Sequence, residues 1–301
     1  MRRTRIISVP YHDGRRDADR GCGPEHLLRT CSAAVGELVD SVETVGPVDP
    51  AQPEAARVFQ LADLLGRDVR AAHDDEMFPL VLAGDCNSCV GTVAGCGGDG
   101  LGVVWLDAHP DFDTSERSRT GSLDAMGLAV MTGHGWAAMR RGVTGFTKVA
   151  EEHVIHVGGR DFEPGQREDF RRSGIRVLEG NTFADTDLAA ALDDLRARVS
   201  RAYLHIDLDC LDPSEGIANQ YSADGGLSLA RLLGVVDEVF DRFEVAAAAV
   251  TAYHPGSDVD GRMASAANEV LAAVMRRGGG VGVRACPGGY PQRTGRSNEE
   301  F

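Results

Sequence analysis

Val103-Val104-Trp105-Leu106-Asp107-Ala108-His109-Pro110-Asp111-Phe112-Asp113 runs from an apolar stretch straight into acids and an imidazole at alternate positions. In a strand, side chains at i and i+2 share a face, so Asp107 and His109 point toward one spot. Pro110 lacks the N–H that a sheet ladder needs, which ends the strand and hands Asp111 and Asp113 to a loop. Carboxylates this close repel one another and are costly to desolvate. A bound cation relieves both problems; the plainer reading is a solvated acidic loop at a sheet edge.

A second stretch repeats the pattern. Tyr203-Leu204-His205-Ile206-Asp207-Leu208-Asp209-Cys210-Leu211-Asp212-Pro213 is again an apolar run, two alternating carboxylates and an Asp-Pro turn, about a hundred residues further on. Parallel strands of an open α/β sheet present their C-terminal ends along one edge, where sites form. Two such strands can pool Asp107, His109, Asp111, Asp207 and Asp209. Oxygen donors with one imidazole suit Mn²⁺ or a similar divalent metal, and shared carboxylates suit a two-metal site.

Working outward, apolar strand-length runs alternate with helical spacing. Strands are expected at Arg5–Val9, Val42–Val48, Phe78–Ala83, 102–107, His153–Val157, 175–178, 202–207 and Val245–Thr251. Helices are expected at Pro24–Val39, from Pro53 to Asp75, and at 121–133, 166–173, 185–200, Ser228–Phe243 and Met263–Arg276. Tyr11 to Gly23 reads as a polar loop. This alternation predicts an α/β fold, a three-layer α/β/α sandwich around a parallel sheet of about eight strands. Residues 1–277 are expected to form one domain, and 278–301, rich in glycine, proline and charge, a loosely ordered C-terminal tail.

Composition narrows the function. The chain has 301 residues, 46 acids against 31 Lys and Arg, and a formal net charge of −15. Nucleic acid needs a basic face, so it is not an expected partner. The segment MRRTRIISVP is too short in apolar residues for a signal peptide or membrane span, and the seven cysteines show no short regular framework. A soluble cytoplasmic protein with reduced thiols is expected.

With DAHPD at 107–111, DLDCLDP at 207–213, GDCNS at 84–88 and GGRDFEPG at 158–165, the chain resembles the ureohydrolase (arginase/agmatinase) family as a divergent member. The resemblance implies a binuclear Mn²⁺ centre and hydrolysis of a C–N bond in a guanidino, hydroxyguanidino or amidine compound through metal-bound hydroxide. It also implies a homo-oligomer. Asp107 and Asp207 would bridge the metals, Asp111 would complete one set, and His109 and Asp209 the other. Asp209 would relay the proton.

The departures from the family pattern are chemical. Cys86 stands where the resemblance places a histidine ligand. A thiolate is softer than imidazole and favours Zn²⁺ or Fe²⁺ over Mn²⁺, while an inert buried thiol is the alternative. One Mn²⁺ firmly held, with the second site open to question or to another divalent metal, is the resulting expectation. Asp113 replaces an asparagine of the carboxylate subsite, Ser118 and Thr120 keep its hydroxyls, and Glu163 replaces an aspartate that contacts the substrate amino group. Asp124 falls where arginases carry a proton-shuttling histidine. The strand end before Pro255 (Val250–His254) lacks the acid that grips the guanidinium, leaving Tyr253 or His254 for that place. The substrate is therefore expected to be a small guanidino or amidine compound other than arginine. The alternatives are a standard arginase or agmatinase releasing urea, and an impaired member acting as a binding or regulatory subunit.

Overall fold

The computed structural model describes residues 3–31, 36–98 and 100–279. Among them eight strands form one parallel sheet: β1 (Thr4–Val9), β2 (Val39–Thr44), β3 (Phe78–Ala83), β4 (Leu101–Leu106), β5 (Val154–Val157), β6 (Arg176–Leu178), β7 (Arg201–Asp207) and β8 (Glu244–Thr251). Their order is β2-β1-β3-β8-β7-β4-β5-β6. The described helices are α1 (Gly23–Thr30), α2 (Glu54–Asp74), α3 (Cys89–Cys96), α4 (Gly127–Thr132), α5 (Ala137–Arg140), α6 (Gln166–Arg172), α7 (Asp185–Arg196), α8 (Leu229–Arg242) and α9 (Arg262–Gly278).

β3 and β4 are buried along their whole length, as strands covered on both faces must be. Their side chains alternate between two cores. Leu80, Leu82, Val104, Leu106, Leu204, Ile206 and Val250 pack with α1, α7, α8 and α9. Val81, Val103, Trp105, Tyr203 and Ala249 pack with α2, α3 and α4 on the other face. That parity decides the site: Asp107 follows Trp105 and Asp207 follows Tyr203 by even steps, so all four belong to the second face.

Several boundaries differ from the sequence reading. The first helix stops at Thr30 and Val39 already begins β2, so the expected Pro24–Val39 helix is too long; residues 32–35 lie outside the described residues. β2 also ends at Thr44, four residues short of the end expected for Val42–Val48. It is an edge strand with mostly exposed or half-buried side chains, so burial imposes no sharp apolar pattern. The 121–133 helix resolves into a 3₁₀ turn at Asp124–Met126 followed by α4. The Tyr11–Gly23 loop contains a two-residue hairpin, Tyr11–His12 with Arg15–Arg16, and a 3₁₀ turn at Asp19–Cys22. Gly84 lets this loop close on the end of β3: a Cβ there would lie 2.3 Å from the Tyr11 carbonyl oxygen. The tail beyond Gly279 lies outside the described residues.

Candidate metal centre

Register brings the site together. β4 and β7 pair with Trp105 opposite His205 and Leu106 opposite Ile206. Across β7 and β8, Asp207 pairs with Thr251, which pairs in turn with Ala83 of β3. The four central strands therefore end in line, and the acids of two distant segments meet beside Cys86.

His109 lies between two carboxylates, with Nδ1 3.5 Å from Asp107 Oδ1 and 3.4 Å from Asp209 Oδ2. Each acid is held from outside. The Trp105 indole N–H and the His109 backbone N–H donate to Asp107 at 2.9 and 2.7 Å, and Asn219 Nδ2 donates to Asp209 Oδ2 at 3.1 Å. His156 Nε2 lies 2.7 Å from the His109 carbonyl oxygen and steadies that turn. Burial opposes ionisation of Asp209, but the His109 charge and hydrogen bond and the Asn219 amide overcome it, so its pKa is depressed. His109 is raised well above its usual value, burial being outweighed by Asp209 and Asp107.

The neighbouring carboxyls are less compensated. Burial, then Asp107 and Asp124, pushes Asp111 well above the usual carboxylate range. Asp207 is raised by burial, then by Asp209 and Asp107. Asp107 is pushed up to about 6, mainly by burial. Buried acids that repel one another this way suit a divalent cation. Asp111 also adopts φ 45°, a conformation rare outside glycine and asparagine that concentrates at functional sites.

Around Cys86 the donors change character. Its sulphur donates to Asp207 Oδ2 at 2.9 Å and lies 3.2 Å from Thr251 Oγ1. Burial, then the surrounding aspartates, keeps the thiol strongly protonated. Asp124 is engaged at both oxygens: the Cys86 N–H donates to Oδ1 at 2.7 Å, and Arg20 Nη2 lies 2.7 Å from Oδ2. Arg20 is only 6% exposed, lies 3.5 Å from Asp85 Oδ1 and sits over the Tyr221 ring at 5.5 Å. Burial works against its charge, and Asp124, Asp85 and Asp207 more than offset that. The residues thus fit a hard cation at Asp107, His109 and Asp209, whose donor atoms lie within 4.8 Å of one another, with Asp207 beside Asp209. They fit it less well at Cys86, where the donor is a sulphur and the nearby Arg20 guanidinium already brings positive charge.

Removing one partner from a buried pair strands the other charge. Arg20→Ala should therefore lower unfolding stability by about 3–5 kcal/mol, read by urea denaturation. Asp124→Ala in the same chain should recover part of that loss, because the two changes share one interaction.

The remaining sequence-derived candidates lie further out. Asp113 accepts from Gln166 Nε2 at 2.7 Å, and the Glu163 backbone N–H donates to Gln166 Oε1 at 2.6 Å. The Glu163 carboxylate pairs with Arg119 at 2.7 Å. Ser118 and Thr120 hydroxyls accept from the backbone N–H groups of Gly121 and Ser122. His254 contacts Ser257 at 3.1 Å and lies 3.7 Å from Asp19. Ala252, just beyond β8, is buried with φ 60°, and its carbonyl accepts from Asn219. Sequence reasoning missed Arg20, Asn219 and the Asp85–His12 contact at 2.6 Å.

The Arginase family profile matches residues 2–276. The chain belongs to the arginase family. It is 27% identical to the arginase of Bacillus subtilis (strain 168) over 290 residues, covering 90% of this chain and 96% of that one. The arginase of Brevibacillus brevis is 36% identical over 158 residues, a match spanning 50% of this chain and 53% of that protein. The native arginase structure from Bacillus caldovelox superposes with a TM-score of 0.79 at 25% identity, covering 91% of this chain and 98% of that one. The agmatine ureohydrolase of Thermoplasma volcanium shares the fold at TM-score 0.69 and 16% identity. No described helix is long and apolar enough to cross a membrane.

Proposed function

We propose that the protein is a metal-dependent hydrolase of a guanidino, hydroxyguanidino or amidine compound other than arginine. The observation that carries this reading is the meeting of Asp107, Asp111, Asp207 and Asp209 with His109 at the ends of adjacent strands. His109, Asp107, Asp207 and Asp209 would hold one ion, with Mn²⁺ expected; Asp111 and Cys86, with the shared Asp107 and Asp207, would face the other. Bound there, a divalent ion supplies Lewis acidity that brings the pKa of water toward neutrality.

The chain's own groups do the rest. Asp209, kept ionised by His109 and Asn219, accepts the proton at its carboxylate and passes it toward the leaving nitrogen. Asp124, expected from the sequence to carry a proton, is assigned instead to holding Arg20 and the Cys86 backbone, since its carboxylate is ion-paired with the buried guanidinium. Asp113, Ser118, Thr120 and Glu163 form a rim for the distal end of the substrate. His254 follows Ala252 at the end of β8, and residues 250–254 carry no acid to grip a guanidinium. That gap favours a substrate other than arginine or agmatine.

The test is a screen of Mn²⁺-loaded protein against alkylguanidines, hydroxyguanidines and amidines, following release of urea, ammonia or amine. Turnover of one of these, with arginine and agmatine poor, is the expected result. Good turnover of arginine or agmatine would favour a standard ureohydrolase. Metal binding without turnover of any compound would favour a binding or regulatory role.

Metal should also stabilise the fold in a pH-dependent way. In the metal-free fold Asp107, Asp111 and Asp207 retain protons that unfolded acids release near pH ~3.9. Over the window from there to about 6, the value for Asp107, these groups make the metal-free fold less stable as pH rises. An ion must displace the same protons. The rise in Tm on adding Mn²⁺ should therefore be largest above pH ~6 and shrink below it, as paired thermal melts would read.

A further inference from the structure

His205 lies deeper in the sheet than the acids, on the same face of β7 as Asp207. Its ring stacks on Trp105, with centroids 3.6 Å apart and planes at 12°, and its Nδ1 lies 2.7 Å from the Tyr203 hydroxyl. The other nitrogen, Nε2, has Thr251 Oγ1 at 3.4 Å, too long for a strong hydrogen bond. Thr251 Oγ1 is also the neighbour of the Cys86 sulphur. A donor atom each from Cys86, Asp107 and His205, all buried, lie within 4.8 Å of one another.

We propose that Cys86, His205 and Asp107 form a binding site for a borderline or soft divalent ion, with Zn²⁺ the best match. Sulphur, imidazole and carboxylate together select such ions over Mn²⁺, Mg²⁺ or Ca²⁺. Bonds of ~2.0–2.3 Å place tetrahedral donors roughly 3.3–3.8 Å apart. The observed spacing therefore needs a contraction of no more than about 1.5 Å, within reach of small side-chain rotations. The supporting contacts are those that metal ligands require. Trp105 both stacks on His205 and donates to Asp107 Oδ2. With the Nδ1 proton given to the Tyr203 oxygen, Nε2 presents its lone pair. Asp207 Oδ2, beside the sulphur, is available as a fourth donor. Binding replaces the S–H bond by an S–metal bond and releases that proton to solvent.

The inference shares Cys86, Asp107 and Asp207 with the centre proposed above and adds His205 to it; its test needs no substrate, so it stands apart from the hydrolytic reading. Protein saturated with Mn²⁺ is titrated with Co²⁺ and watched for the near-ultraviolet sulphur-to-cobalt charge-transfer band; Zn²⁺ affinity is then measured by competition with a chromophoric chelator. The band should appear and vanish in Cys86→Ser. Tyr203→Phe should weaken Zn²⁺ binding by about 10–100-fold, and His205→Asn by more. If His205→Asn fails to fold, the near-isosteric Tyr203→Phe decides. Cobalt bound without a charge-transfer band, or Zn²⁺ affinity indifferent to the Tyr203 and His205 changes, overturns the site.

Discussion

Asp207→Ala is expected to abolish tight metal binding and turnover together. Asp207 stands between the two donor sets: its Oδ1 accepts from the Asp209 N–H at 2.9 Å, and its Oδ2 accepts a hydrogen bond from the Cys86 thiol at the same distance. A carboxylate shared between two ions cannot be removed from one alone, so both sets lose a ligand in a single substitution. The loss should not come from unfolding. In the metal-free fold burial, and then Asp209 and Asp107, oppose the charge of Asp207, so its removal relieves repulsion that offsets part of the cost of the two hydrogen bonds lost. Metal-free Asp207→Ala should therefore still unfold in one cooperative transition. Elemental analysis after dialysis reads the metal, and paired melts read the fold. A variant retaining full metal content sinks the assignment of Asp207 as a bridge.

The central strands were legible in the sequence because they are the most constrained. β3 and β4 are apolar at every position, since helices cover both faces of the sheet. Proline and aspartate mark their ends chemically. The outer elements were less legible for the opposite reason. β2 is an edge strand whose positions are half-buried or exposed, the last three all exposed, so Val39–Thr44 carries polar residues that burial does not forbid. The helix near 121–133 misled differently: all six residues of α4 are buried, so it lacks the apolar stripe that normally locates a helix.

The acids of the site were legible because a carboxylate that ends an apolar strand needs a reason to be there. His205 shares the face of Asp207 by period-two spacing, yet an imidazole within an apolar run reads as a core residue until its neighbours are known. Arg20 could not have been found this way. It lies in a polar loop rich in charge, where an arginine reads as solvated, and only the close approach of that loop to Gly84 and Asp124 buries it. Asn219 was hidden likewise, since its partners Asp209 and Ala252 come from two different strand ends.

Cys86→His is expected to raise the Mn²⁺ content of dialysed protein from about one ion per chain toward two. Residue 86 begins a 3₁₀ turn just past Gly84 and Asp85 at the end of β3, with its N–H fixed by Asp124, so a new side chain there points at Asp107, Asp111 and Asp207. A thiol must lose its proton before it binds well, and here burial and then Asp207, Asp111, Asp124 and Asp107 all raise its pKa. With a hard ion the sulphur gains little in return, because Mn²⁺ prefers oxygen and nitrogen donors. The second set, Asp107, His109, Asp207 and Asp209, needs no thiol and should hold its ion in both proteins. Imidazole brings a lone pair that is free near neutral pH, so the substitution removes the deprotonation cost and the mismatch together. The same change should weaken Zn²⁺ selectivity, because the soft donor is lost. Side-by-side elemental analysis after loading with Mn²⁺ alone is the measurement. Two tightly held Mn²⁺ ions in the unmodified protein, with the Cys86 sulphur bonded to one, would refute the argument, as would a histidine variant that still retains only one.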